Sequence, residues 1–134
     1  MKLTAVLTAL FLVSPMALAS SLDLKGVWKL KSGEYINGEG DLISYQSLNM
    51  QSLKIISDTH FSFTSMKGDT FWASGTGSYE FEDGKYVEKL QLNSFGEKPG
   101  AIFAFDARVE GEYWYNTRWE NGKRVEYEVW QKVE

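Results

Sequence analysis

The fold is decided by residues 101–132, AIFAFDARVEGEYWYNTRWENGKRVEYEVWQK. Apolar and polar side chains alternate in three β-rich runs, 101–109, 112–119 and 124–133, which is typical of half-buried strands. The turns between the runs are Glu110-Gly111 and Asn121-Gly122. Asn-Gly is a strong hairpin signal because a type I′ turn needs positive φ at both central residues. The stretch therefore predicts three antiparallel strands joined by tight turns.

The same pattern continues toward the N-terminus. The further β-rich runs are 24–35, 50–57, 59–66, 70–82 and 85–93, and their turns are Ser57-Asp58, Gly68-Asp69, Asp83-Gly84 and Lys98-Pro99-Gly100. Residues 36–49 fit a long loop, a short helix or one more strand. The sequence predicts an all-β fold, a single eight-stranded up-and-down antiparallel β-barrel, because closure buries the apolar face and removes exposed edges. A two-sheet sandwich is the alternative.

The first nineteen residues resemble a secretory signal peptide. Lys2 precedes the apolar run 3–13, and Ala17-Leu18-Ala19 forms a small-x-small cleavage site. Ser14 and Pro15 interrupt the apolar run, which is shorter than the ~20 residues of a membrane span. We therefore expect a signal peptide over residues 1–19, a barrel domain over 20–134, export to the periplasm or the medium, and no membrane span.

Composition excludes several classes of function. The 134 residues carry a formal charge of −4, which argues against a nucleic-acid partner because phosphate binding needs a basic face. The absence of Cys excludes disulfides, thiol nucleophiles and Cys-based metal sites, and a single histidine, His60, excludes a multi-His site. The sequence also contains no phosphate-binding loop, dinucleotide fingerprint or Ser-His-Asp order. We expect no metal and no cofactor, and we assign no catalytic residue.

Hairpin register predicts which side chains of the last three strands face inward. Residues paired across a two-residue hairpin point to the same face. With Glu110-Gly111 and Asn121-Gly122 as loops, Trp114 pairs with Ala107 on one side and with Val129 on the other. The predicted interior contains Phe103, Phe105, Ala107, Val109, Trp114, Asn116, Arg118, Val125, Tyr127 and Val129. The predicted outer face carries Glu126 and Glu128 together with the aromatic residues Tyr113, Tyr115, Trp119 and Trp130.

The Asp83-Gly84 hairpin extends the same interior. Its register pairs Phe81 with Tyr86, Tyr79 with Glu88, Gly77 with Leu90 and Gly75 with Leu92. The expected inward set is therefore Tyr79, Phe81, Tyr86, Glu88, Leu90 and Leu92. Inward glycines leave either room for a ligand or a place for the sheet to bend.

Three inward polar groups, Glu88, Asn116 and Arg118, allow two interpretations. Charges inside a small barrel are costly unless they are paired, hydrogen-bonded or wet. In the first interpretation they satisfy one another: Tyr79 donates to Glu88, and Arg118 pairs with Glu88, stacks on Trp28 or closes the barrel floor. In the second they anchor a ligand, with Arg118 holding a carboxylate at the base of an apolar molecule.

Short motifs add a resemblance to a known family. Gly26-Val27-Trp28 resembles the G-x-W signature of the lipocalin and calycin barrels. The segments Gly77-Ser78-Tyr79, Tyr86-Val87-Glu88 and Glu128-Val129-Trp130 resemble those of small secreted bacterial lipocalin-like domains. The resemblance implies a cup-shaped barrel with a cavity for a small molecule. The lipocalin T-D-Y motif is absent from this chain.

These observations lead to three hypotheses. In the first, the barrel binds a small apolar or aromatic molecule at Trp28, Tyr79, Tyr86, Glu88, Phe103, Phe105, Trp114, Asn116, Arg118 and Tyr127. In the second, the outer aromatic residues bind another polypeptide or a second copy of the chain. In the third, His60 and Glu88 form an acid–base couple of an isomerase or hydrolase. The third requires His60 to face inward, whereas the hydrophobic pattern favours Phe61 and Phe63 inward and His60 on the surface.

Overall fold

The computed structural model describes residues 23–134, and the predicted signal peptide lies outside this range. The elements are β1 (Gly26–Ile36), β2 (Leu42–Ser44), a 3₁₀ helix (Gln46–Leu48), β3 (Met50–Ile56), β4 (His60–Lys67), β5 (Thr70–Glu82), β6 (Lys85–Asn93), β7 (Ile102–Glu110), β8 (Tyr113–Glu120) and β9 (Lys123–Lys132). The eight predicted strands are present within a few residues of their expected limits.

The strands form one closed antiparallel ring. Each strand from β3 to β8 pairs with the next along the chain, and β1 pairs with both β3 and β9. This closure confirms the eight-stranded up-and-down barrel and excludes the sandwich. Strand β2 is additional and pairs with the last residues of β1. The ambiguous segment 36–49 thus contains a turn, a short strand and one turn of 3₁₀ helix.

Two predicted type I′ turns set the hairpins around them. Asp83 and Gly84 have φ of 51° and 72°, and Asn121 and Gly122 have φ of 51° and 75°. The first turn gives the predicted pairs between Tyr79 and Glu88 and between Phe81 and Tyr86. The register predicted for β5 and β6 next to this turn is therefore confirmed.

A bulge changes the register of β9 by one residue. The pairs with β8 are Trp119↔Arg124, Arg118↔Glu126, Asn116↔Glu128 and Trp114↔Trp130. Val125 is the extra residue between the first two of these pairs. A one-residue slip moves every later side chain of the strand to the opposite face.

The predicted faces of β9 are therefore wrong. Tyr127, predicted to line the interior, points outward, and the guanidinium carbon of Arg124 lies 4.7 Å from its ring centroid. Val129 lies on the same outer face, although it is only 8% exposed. Trp130, predicted to face outward, is buried and only 3% exposed. Glu126 and Glu128 turn inward with it. The bulge thus buries the largest side chain of β9 and places two carboxylates in the interior.

Two smaller corrections also concern turns and bulges. The β7–β8 loop is Gly111-Glu112, because Gly111 has φ of 59° at the first central position, as in a type II′ turn. This moves the pairing by two residues, so that Trp114 opposes Val109 and the inward faces are unchanged. Gln91 is an extra residue in β6, so that Leu92 pairs with Thr76. Leu92 was predicted to face inward, but it faces outward and is 73% exposed.

A bulge also determines the face of His60. The β4–β5 loop is the two-residue turn Gly68-Asp69, which alone would turn His60 inward. Trp72 is an extra residue between the pairs Met66↔Phe71 and Ser65↔Ala73, and it reverses the faces beyond it. His60 is consequently exposed, and the preference for an inward Phe61 is confirmed.

The core fills the end of the barrel where β1 begins and β9 ends. Leu24 and Trp28 are each 1% exposed, and the Trp28 indole donates to the Leu24 carbonyl at 2.7 Å. The Lys132 ammonium lies 5.6 Å from the Trp28 ring centroid. Lys132 thus occupies the position over this tryptophan that the first interpretation gave to Arg118. Among residues 23–134, no helix is long and apolar enough to cross a membrane.

Candidate ligand-binding cavity

A cavity of about 410 Å³ lies inside the barrel at the end opposite Trp28. Much of its wall is aromatic, and two of the rings, Trp72 and Phe95, are 44% and 43% exposed at its mouth. The other aromatic groups include Tyr35, Tyr45, Phe103, Phe105 and Trp130. Cavities of this size and character are typical of small-molecule sites.

Three of the ten sequence-predicted site residues line this cavity: Glu88, Phe103 and Phe105. Four others form the packed core beside it: Trp28, Tyr86, Trp114 and Asn116, each at most 1% exposed. Trp114 packs edge-on against Tyr86, with ring centroids 4.8 Å apart, and against Trp28, at 5.5 Å. These four side chains support the floor of the cavity without reaching it.

The remaining three predicted site residues lie elsewhere. The Tyr79 hydroxyl donates to the Ser57 carbonyl at 2.7 Å, and not to Glu88. Arg118 donates to the Glu126 carboxylate at 2.5 Å and to the Glu120 carboxylate at 2.6 Å. Tyr127 is on the outer face. The expected contacts of Arg118 with Glu88 or Trp28 are therefore replaced by two glutamate pairs.

Lys54 is the central residue that the sequence analysis missed. It lines the cavity, is 3% exposed, and places its ammonium nitrogen 3.5 Å from a Glu88 carboxylate oxygen. Four rings surround that nitrogen, with centroids at 4.8 Å (Trp130), 5.2 Å (Trp114), 5.4 Å (Tyr86) and 5.8 Å (Phe63). Cation–π attraction and the carboxylate together offset the desolvation of this buried charge.

The alternation in β3 suggests the opposite faces to those observed, because its apolar residues Leu53 and Ile55 point outward and its polar residues point inward. Leu53 and Ile55 are 50% and 56% exposed, whereas Lys54 and Ser52 are buried. A usable signal does exist in the β3–β4 turn, which pairs Ile56 with Phe61. Because Phe61 is expected to face inward, that pairing also turns Lys54 inward.

Burial changes the proton affinity of the interior carboxyl groups. It raises the pKa of Glu88 to about 7, with Lys54 opposing this rise and the carboxylates of Glu128 and Glu126 adding to it. Burial also raises the pKa of Glu126, with Glu128 adding to the rise and Arg118 opposing it. Glu88 can therefore gain or lose a proton near neutral pH.

Two buried polar atoms have no hydrogen-bond partner among the described residues: the Tyr86 hydroxyl oxygen and the Asn116 amide nitrogen. The Asn116 amide oxygen accepts from the Trp114 indole at 2.7 Å. Asn116 thus orients a core ring, and its predicted role as a ligand anchor is not supported by its position beneath the cavity wall.

The proposed acid–base couple is wrong. His60 is exposed on the outer face of β4, where its Nδ1 lies 2.7 Å from the Thr59 hydroxyl. Glu88 is buried on the inner face of β6. Within residues 23–134 no group of three or more His, Cys, Asp or Glu side chains is arranged to hold a metal ion.

The outer aromatic surface is smaller than the sequence suggests, because Trp130 is internal. Trp119 is 52% exposed, and its indole donates to Asp106 at 3.2 Å. Tyr113 and Tyr115 are half-buried, with ring centroids 6.5 Å apart.

Fold and cavity together define the chain as a closed antiparallel barrel with an aromatic internal cavity, compatible with a lipocalin-like fold. Comparison with protein-family models, with curated proteins and with solved structures finds no match. The assignment of function therefore depends on the geometry of the site.

Proposed function

We propose that the protein binds a small molecule with an apolar or aromatic body inside the barrel. The observation that carries this proposal is the cavity of about 410 Å³ inside the barrel, whose wall contains eight aromatic side chains. Burial of apolar ligand surface would supply ~25 cal/mol per Å² before ordering costs are subtracted. About 200 Å² of buried surface would thus contribute about 5 kcal/mol.

A cavity-filling variant tests the proposal. Ala73 is 8% exposed and lines the cavity, so Ala73→Phe should occupy space that the ligand needs. Ala104 is exposed on the outer face, where Ala104→Phe is the matched control. With 4-phenylbutanol as a neutral probe, calorimetry should detect binding to the wild type and to the control.

Binding to Ala73→Phe should be at least about tenfold weaker, since each 1.4 kcal/mol of lost affinity is a factor of ten. Urea unfolding of each variant, followed by tryptophan fluorescence, establishes that the protein is folded. Equal binding to a folded Ala73→Phe protein would refute the cavity as the site.

The cellular setting is part of the same proposal. We propose that residues 1–19 direct export to the periplasm or the medium, and that the mature domain belongs with secreted bacterial lipocalin-like proteins of the calycin superfamily. The signal-like pattern, the G-x-W motif and the barrel support this. Intact mass measurement of the protein from its own cells tests the export. A chain that keeps residues 1–19 in the cytoplasm would contradict it.

A second candidate function uses the outer face. Trp119 is the observation that favours it, because a large ring that is 52% exposed is a suitable interface residue. We propose homodimerisation as its simplest form. Sedimentation analysis should show a dimer for the wild type and a monomer for Trp119→Ala. A wild-type monomer at all concentrations would exclude the dimer.

A further inference from the structure

We propose that the cavity selects ligands that carry one positive charge on an apolar or aromatic body, an organic amine being the simplest example. The inference rests on the proposed function, because it specifies the ligand class for the same cavity. It differs from the second interpretation of the sequence, in which Arg118 holds the carboxylate of an acidic ligand.

The charges of the site are unbalanced. Three carboxylates, Glu88, Glu126 and Glu128, line the cavity together with one ammonium group, that of Lys54. Arg118 supplies a second positive charge through its pair with Glu126. When all three carboxyl groups are ionised, they place three negative charges against two positive ones, and Arg118 is also shared with the exposed carboxylate of Glu120, so at least one negative charge is in excess. Such a charge is costly in an apolar setting, and a cationic ligand would neutralise it.

Glu128 is the carboxylate that carries the excess charge. Lys54 pairs with Glu88, and Arg118 pairs with Glu126. Glu128 accepts a hydrogen bond from the Trp130 indole at 2.7 Å and, among residues 23–134, forms no ion pair.

The aromatic wall of the cavity suits a cation as well. Tyr35 stacks on Tyr45 with ring centroids 5.4 Å apart, and Tyr35 lies 5.8 Å from Trp72. All three rings line the cavity that Glu128 also lines. Aromatic faces beside a carboxylate attract an organic cation electrostatically and bury its apolar body.

An anionic ligand has no comparable site. The guanidinium of Arg118 is already held by Glu126 and Glu120, and its carbon lies 5.3 Å from the Phe103 ring centroid. The Lys54 ammonium is enclosed by four rings and Glu88. A ligand carboxylate would have to displace one of these glutamates and would add to the excess negative charge.

The raised proton affinity of Glu88 agrees with this charge balance. Burial raises its pKa to about 7, and the nearby Glu128 and Glu126 contribute to the rise. A bound cation would favour the ionised carboxylate, so that the protein would release protons when an amine binds near pH 7. A neutral ligand would not have this effect.

Three probes with the same phenylbutyl body test the inference: 4-phenylbutylamine, 4-phenylbutanol and 4-phenylbutanoate. Calorimetry at pH 7 should show the amine binding at least about tenfold tighter than the alcohol, and the acid binding weakest. Repeating the titration in buffers of different ionisation enthalpy should show proton release for the amine alone.

Variants of Glu128 test whether this carboxylate causes the preference for the amine. Glu128→Gln should reduce the ratio of amine affinity to alcohol affinity to less than about threefold. Glu128→Asp keeps the charge and should keep the preference. Glu112→Gln, at an exposed turn, is the control and should behave as the wild type.

The possible failures are distinguishable. Equal affinity for the three probes, or tightest binding of the acid, would overturn the cationic preference, while sensitivity of alcohol binding to Ala73→Phe would preserve the proposed function. A folded Glu128→Gln protein with an unchanged preference would also overturn the inference. Absence of binding by all three probes at millimolar concentration would overturn both proposals.

Discussion

Replacement of Glu88 by Gln should remove a pH dependence of stability that the buried carboxyl group creates. The folded-state pKa of about 7 lies above the ordinary glutamate pKa of 4.5, which the unfolded chain keeps. The unfolded chain therefore loses this proton first as the pH rises. The free energy of unfolding consequently falls between pH 4.5 and 7. At 1.36 kcal/mol per pKa unit, the loss amounts to about 3 kcal/mol.

Burial is the main cause of the raised pKa of Glu88, and the charged groups that face this carboxyl group modify its effect. Lys54 on β3 opposes the rise of its pKa, whereas Glu126 and Glu128 on β9 add to it. Tyr86 lies on the same strand, and burial raises the pKa of its hydroxyl well above the usual value, so it stays neutral throughout this pH range.

Urea unfolding monitored by tryptophan fluorescence, at pH values from 4.5 to 8, measures the effect. The difference in unfolding free energy between Glu88→Gln and the wild type should change by about 3 kcal/mol in favour of the variant between pH 4.5 and 7. Glu80→Gln, an exposed residue of β5, is the matched control and should follow the wild type. Parallel pH profiles for the wild type and Glu88→Gln would refute the reasoning.

Three further substitutions test other parts of the structure. Trp114→Ala should lower the unfolding free energy by about 3–5 kcal/mol, because it empties the centre of the core; a change below 1 kcal/mol in urea unfolding would contradict the packing. Gly33→Ala should cost at least about 2 kcal/mol, since Gly33 has φ of 141° and a Cβ there would lie 2.0 Å from a carbonyl oxygen of β9, whereas Gly38→Ala, in open space, should be nearly neutral. Lys54→Met should raise the pKa of Glu88 further, above 7, and a carbon-detected NMR titration that shows a lower pKa would exclude the pair.

The architecture could be predicted because its signals are local. A type I′ turn needs only the two residues at its centre, and Asp83-Gly84 and Asn121-Gly122 adopt it where the sequence places them. The alternation of apolar and polar residues then gives strand limits within a few residues. Sequential hairpins of this length leave closure as the economical way to bury the inner face.

The site was harder to predict because bulges depend on packing across the whole barrel. Val125 is unremarkable in the sequence, yet its extra position in β9 replaces Tyr127 by Glu126 and Glu128 on the inner face. No residue near Val125 indicates the bulge. The bulge brings Trp130 against Trp114, with ring centroids 6.3 Å apart, and this contact between strands is not visible in the local sequence. Glu88, fixed by an unbulged part of its hairpin, was placed correctly.

Strand β1 pairs with β3 along one part of its length and with β2 along another, and this arrangement affects access to the barrel interior. Strand β1 pairs with β3 only from Gly26 to Lys29, and with β2 from Glu34 to Ile36. The first residues of β3 therefore form no backbone pair with β1. Tyr45 lines the cavity next to these residues; its backbone N–H donates to the Gly33 carbonyl at 3.0 Å, and its own carbonyl accepts from the Met50 N–H at 3.0 Å. Under the proposed function, movement of the segment around Tyr45 would open a route to the cavity while the strand pairs that close the ring stay intact.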